Sequence, residues 1–331
     1  MYSPVAIFVY NRADNTQKTI EHLLANTLAA ETDVFVFSDG AKRNGDGSVD
    51  RKSKAGVDAV RSYLHAVKTD IDGRHLFRSF NIIERATNIY LEANILTGID
   101  FIFERYDTVI VLEDDICTSR FFLEYMNEAF ELYRDEERVM HVSGFTNLDL
   151  PCGTAATGER AARDFYFTPH MSGWGWGTWR SKWQAHFRHY ESREEALEGM
   201  TADDMDAMQY GGVFPCLKSL DKQPIPWDIC WEMAVYKAKG LCLTPNKTMV
   251  RNIGLKNGTH FRSFDLLQWY EFDREPYNHH LQLCKVENPA KNKITESLFA
   301  EAIRDWGIRY TAIGKMVRFL YLKVIKSGQK H

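Results

Sequence analysis

Residues 109–116 read VIVLEDDI, an apolar run that ends in three adjacent carboxylates, Glu113, Asp114 and Asp115. The apolar part, Thr108 to Leu112, has the length and residue types of a strand. Three carboxylates in a row repel one another and are costly to desolvate unless a cation or hydrogen-bond donors compensate them. A hard divalent ion bound through oxygen is the usual compensation. Mg2+ takes one or two protein carboxylates and completes its shell with substrate phosphates and water, and Mn2+ also suits oxygen ligands. The other reading is a solvated acidic turn opening the next helix, because acidic residues favour helix N-termini.

Upstream of this stretch the chain alternates between two periods. Val5 to Tyr10 is mostly apolar without helical spacing and ends in Asn11-Arg12, which reads as a strand buried on both faces. Asn15 to Leu28 carries Ile20, Leu23, Leu24 and Leu28 at helix-like spacing, and Val34 to Phe37 is a second strand running into Ser38-Asp39-Gly40. The polar stretch AKRNGDGSVDRKSK reads as a loop leading to a helix through Val57, Val60, Tyr63, Leu64 and Val67. A third strand near Asn81 to Ile83 and a helix from about Tyr90 to Arg105 precede the acidic strand. This alternation predicts a mostly parallel, doubly wound α/β sheet. Ligands of such sheets bind beyond the carboxyl ends of the strands, near a switch in strand order. Arg12, Asp39 and the acidic triplet each end a strand and are expected to converge on one crevice.

The 331 residues, 44% hydrophobic and 13% aromatic, suffice for one large domain or two modest ones. The pattern divides into residues 1–150, a less regular half 151–265, and a partly helical extension 266–331. A net charge of -4 gives no global signal for nucleic-acid binding, so any anionic ligand is held locally. Val5 to Tyr10 is too short for a signal-peptide core, and no segment reaches the ~18 apolar residues of a membrane span. The six cysteines are scattered without a C-x-x-C pair and read as reduced packing thiols. The sequons at Asn246 and Asn257 read as chance matches, and the chain is expected to be cytosolic.

In the second half, Trp227-Asp228 sits in PIPWDICWE. An aromatic wall around one carboxylate raises its pKa and suits it to base catalysis; the alternative is an N-cap aspartate opening the following helix. Gly173, Gly175 and Gly177 alternate with Trp174, Trp176 and Trp179, without the spacing of a dinucleotide fingerprint. Lys256 and His260 lie in a Gly-containing loop and can meet phosphate or metal, although a lone histidine is more often structural. Asp39 alone also reads as an Asp-Gly turn, and Arg12 alone as a surface salt bridge.

These motifs, in this order from Pro4 to about Phe261, resemble GT-A glycosyltransferases. The likeness is strongest to the group of N-acetylglucosaminyltransferase I and its protein O-mannose relative, and extends to bacterial polysaccharide glycosyltransferases. The resemblance implies a Rossmann-like GT-A fold with an acceptor-side subdomain and a C-terminal helical tail. It implies that residues 1–150 bind a nucleotide sugar and residues 151–265 hold the acceptor. Arg12 matches an arginine that contacts the nucleotide, and Asp39 an acidic residue that bonds uracil. Glu113-Asp114-Asp115 match the EDD form of the D-x-D motif, with Asp115 on Mn2+ and the other two facing the donor. Trp176 falls in a sugar-side G-x-G-W stretch, and Lys256 and His260 in a loop that closes over the diphosphate. Asp228 matches the catalytic base. The family's W-D-D-W is Trp227-Asp228-Ile229-Cys230-Trp231 here, which leaves Glu232 as a second candidate base.

The implied activity is inverting, Mn2+- or Mg2+-dependent transfer of a hexosyl or N-acetylhexosaminyl group. The donor is a UDP-sugar and the acceptor a glycan or lipid-linked saccharide. Two other readings remain: a sugar nucleotidyltransferase, against which Asn11-Arg12-Ala13-Asp14 lacks the usual glycine-rich loop, and a catalytically silent glycan- or nucleotide-binding module. Tyr310 to Lys326 mixes apolar and basic residues. It reads either as a helix packed on the domain or as a peripheral contact with the inner face of the plasma membrane.

Overall fold

The computed structural model describes residues 1–152, 163–211, 216–254, 274–291, 296–298, 300 and 301. Lys256, His260 and the basic segment from Tyr310 lie outside the described residues. The first half runs β1 (Val5–Val9), α1 (Ala13–Leu24), β2 (Asp33–Ser38), α2 (Arg51–Arg74), β3 (Ser79–Glu84), α3 (Tyr90–Phe103) and β4 (Thr108–Glu113). The order of elements is the expected one, and one boundary moves. Arg51 to Lys54, read as loop, form the first turn of α2, because the Asp50 side chain accepts the Ser53 N–H and caps the helix there.

The chain continues through β5 (Ile116–Thr118), α4 (Phe122–Leu132), β6 (Val139–Ser143), β7 (Phe165–Thr168) and β8 (Trp176–Trp179). Then come α5 (Arg180–His186), α6 (Arg193–Leu197), α7 (Ala202–Met208), α8 (Trp227–Lys237), β9 (Leu241–Pro245) and β10 (Val250–Asn252). One sheet has the order β3-β2-β1-β4-β8-β6-β9-β7, and a small sheet pairs β10 with β5. β3, β2, β1 and β4 are mutually parallel; β8 enters antiparallel to both β4 and β6, and β7 antiparallel to β9. The sheet therefore continues across residue 150, with strands from either side sharing its hydrogen bonds.

Strand alternation sorts the core onto two faces. Val5, Ile7 and Val9 pack with Ile20, Leu23, Val60 and Leu64 on one face. Ala6 and Phe8 pack with Ile95, Ile99 and Ile102 of α3 on the other. From β1 the chain winds outward to β2 and β3, then returns to place β4 on the other flank of β1. The switch point thus lies between β1 and β4, at their carboxyl ends. No described helix is long and apolar enough to cross a membrane. All six cysteines are free thiols.

Candidate active site

Arg12 follows β1 and the acidic triplet ends β4, so the two meet at the switch point. The Arg12 fork pairs with both carboxylate oxygens of Asp114, and its Nη2 also lies 2.9 Å from Asp115 Oδ2. Thr19 Oγ1 donates to the Asp114 carbonyl at 2.9 Å. Asp114 and Asp115 are 3% and 7% exposed. Desolvation, with the repulsion of Asp115 and Asp114, pushes Glu113 up to about 8. Desolvation raises Asp114 to about 6 against the pull of Arg12, and Asp115 rises for the same reason. One guanidinium stands against three carboxylates, so the site can accept more positive charge. The sequence offered Arg12 a nucleotide or a surface salt bridge; here its partners are the buried aspartates.

Asp228, from the second half of the chain, lies near enough for its charge to make a small contribution to raising Glu113. It is the second residue of α8, with Pro226 at the N-cap, which corrects the capping-aspartate reading. Its Oδ1 accepts the Ile229 N–H at 2.9 Å, and burial raises its pKa above the usual carboxylate range. Glu232, one turn on, is 5% exposed. One of its oxygens is bound to His170 Nδ1 and the other accepts the Met171 N–H at 2.8 Å. Both oxygens are committed to holding the segment after β7. Asp228 is half-buried, and its Oδ1 is engaged only by the Ile229 N–H of its own helix among the described residues, whereas Glu232 is tied to the segment after β7.

Asp39 ends β2, two strands from β4 and about 10 Å away at ordinary strand spacing. Its carboxylate turns into its own loop. Oδ1 accepts the Gly40 and Ile89 N–H groups at 2.8 and 2.9 Å, and Oδ2 accepts from Asn88 at 2.7 Å. Asp39 thus fixes the β3–α3 connection, a role its Asp-Gly context did not reveal.

Trp176 is corrected more sharply. It is fully buried, stacked between His141 and Trp227 at 5.2 Å from each, so its ring has no face for a donor. The reason is topological: β8 is an interior strand, paired on both sides. His141 is part of the same stack. It accepts from Trp231 Nε1 and is kept neutral by complete burial, which pushes its pKa down to about 3.

Gly254, read from the sequence only as the start of the loop over the diphosphate, packs directly on Asp115. The Ile253 N–H donates to the Asp115 carbonyl at 2.9 Å, and a Cβ at Gly254 would overlap the Asp115 carboxylate. Only a residue without a side chain lets the backbone pass so close to that oxygen pair.

Among the described residues, no three His, Cys, Asp or Glu side chains converge as a metal cage. The oxygen-only donor set of Asp115 and its neighbours, under-compensated by Arg12, nevertheless fits a hard divalent ion that draws the rest of its shell from a diphosphate and water.

The profile of the GNT-I family matches residues 1–188. No curated protein matches the chain. Among solved structures, the mannosyltransferase PcManGT from Pyrobaculum calidifontis, in complex with GDP-Man and Mn2+, is 13% identical. That match covers 72% of this chain and 74% of that one, with a TM-score of 0.38. TarS of S. aureus is 11% identical over 77% of this chain and 37% of its own, with a TM-score of 0.40. A TarS fragment in complex with UDP-GlcNAc is 13% identical over 52% and 40%, with a TM-score of 0.30. The chain spans well under half the length of TarS.

Proposed function

The chain belongs to the GNT-I family and is a glycosyltransferase, and from that premise we propose that it moves a sugar from a UDP-sugar to a saccharide or lipid-linked acceptor with inversion. The observation that supports this reading is the under-compensated Glu113-Asp114-Asp115 cluster held by Arg12 at the switch point, with Asp228 near enough for its charge to act on Glu113. Family membership also sets aside the nucleotidyltransferase and silent-module readings.

Asp115 holds the divalent ion in this proposal. A bound Mn2+ or Mg2+ supplies positive charge against the diphosphate of the leaving group. Arg12 then has diphosphate oxygens available to its fork as well as the aspartates. Asp228 takes the proton of the acceptor hydroxyl as that oxygen bonds the anomeric carbon. The bond from that carbon to the diphosphate breaks on the opposite face, and UDP departs with the bonding pair. The raised pKa of Asp228 makes it a stronger base than an exposed aspartate. Glu232 and His170 keep the wall behind it in place. Lys256 and His260 are assigned to the loop over the diphosphate, and a basic helix from Tyr310 to peripheral contact with an anionic membrane; both assignments rest on sequence alone.

A screen of nucleotide sugars by thermal shift, with and without Mn2+, tests the donor. A metal-dependent rise in unfolding temperature confined to uridine nucleotides supports the reading. No response to any nucleotide sugar, with either ion, sinks it. The anomeric configuration of the product, read by NMR, decides inversion.

A further inference from the structure

Tyr90 opens α3 with φ +65°, a left-handed conformation that favours glycine and strains a bulky residue. Its side chain gains no burial in exchange: the residue is 66% exposed, and Leu91 beside it is 49% exposed. Strain without burial calls for another explanation. The surroundings supply one. The Lys42 ammonium lies over the Tyr90 ring at 5.5 Å and over the Tyr10 ring at 5.6 Å, linking the ends of β1, β2 and β3. The Asp39 carboxylate holds Asn88 and the Ile89 N–H, the two residues immediately before Tyr90. The loop is therefore fixed from beneath while the ring stands in solvent.

We propose that Tyr90 is a donor-binding residue that stacks the nucleobase of the donor, with Asp39 as the positioning residue that holds it there. This rests on the nucleotide-sugar reading above. With the diphosphate at Arg12 and Asp115, between β1 and β4, the rest of a nucleoside diphosphate extends along the carboxyl edge toward β2 and the loop after β3. That is where the ring stands. A flat π face meets a flat base there, and Lys42 adds positive charge on the same path. A sugar acceptor, by contrast, belongs on the Asp228 side.

Tyr90→Gly separates stacking from folding, because the backbone conformation already suits glycine. Binding of UDP and of inorganic pyrophosphate, each with Mn2+, is measured by calorimetry for wild type, Tyr90→Gly and Tyr90→Phe. Tyr90→Gly is expected to keep or raise the unfolding temperature and to weaken UDP about tenfold, the usual value of one aromatic–base stack. Pyrophosphate affinity stays unchanged, and Tyr90→Phe retains UDP affinity. Undiminished UDP affinity in Tyr90→Gly, or an equal loss for pyrophosphate, overturns the assignment while leaving the donor reading intact. Failure of the wild type itself to bind UDP overturns both.

Discussion

Arg12 Nη2 stands 2.9 Å from Asp115 Oδ2 while the same guanidinium grips Asp114. A residue three positions past the end of the first strand thereby neutralises carboxylates about a hundred residues later. It does so at the switch point between β1 and β4. The pair supplies part of the positive charge that a buried acidic cluster requires.

Replacing Arg12 with Gln leaves Asp114 buried without its counter-ion. Removing one partner of a buried pair costs about 3–5 kcal/mol, and the part-exposure of Arg12 reduces this to about 1–3 kcal/mol. Thermal unfolding should show that loss in metal-free protein, and Mn2+ should restore more of it in the variant than it adds to wild type. Equal Mn2+ effects on the two would contradict the view that guanidinium and metal satisfy the same charge.

Asp228→Asn is expected to lower the transfer rate by about 10²–10⁴-fold, the usual contribution of a general base, with UDP affinity within twofold (about 0.4 kcal/mol) of wild type. Glu232→Gln should behave differently. Loss of the charged bond to His170 should cost about 1–3 kcal/mol of stability and reduce turnover much less. If Glu232→Gln abolishes turnover in folded protein and Asp228→Asn does not, the two roles are reversed.

Gly254→Ala places a methyl group on the Asp115 carboxylate. Mn2+ affinity, measured by electron paramagnetic resonance, should drop at least tenfold (about 1.4 kcal/mol), with circular dichroism unchanged because the overlap is confined to the site. Unaltered Mn2+ affinity would mean that Asp115 is not the ligand.

The pH dependence of stability follows from the triplet. Glu113 and Asp114 are raised to about 8 and about 6, above their unfolded values, so the folded state binds these protons more tightly. Their contribution is present below about pH 4 and is lost as pH rises through about 6 and then 8. Asp33 works in the opposite sense. Hydrogen bonds from Arg78, Ser79 and Tyr106 overcome its burial and hold it at about 2, so its contribution is lost only in acid below about pH 4. Metal-free protein should therefore lose unfolding temperature from about pH 5 to 8. Glu113→Gln should flatten the upper part of that slope, and a slope identical in the variant would refute the assignment.

The sequence by itself determined the parallel half and the polar residues at its strand ends. Apolar runs such as Val5–Val9 and Val109–Leu112 report burial on both faces directly, and Glu113, Asp114 and Asp115 had to lie at a carboxyl edge once β4 was a strand. Residue types at 227–228 likewise marked the start of a helix carrying a carboxylate among tryptophans. Tertiary structure alone decided which neighbours these groups meet. Trp176 left the donor side because β8 inserts between β4 and β6, an order no local period encodes. Asp39 turned to Asn88, Glu232 to His170 and Arg12 to Asp115 for the same reason. Periodicity records whether a side chain is buried, whereas its partner is fixed by sheet order and chain crossing over separations of tens to a hundred residues.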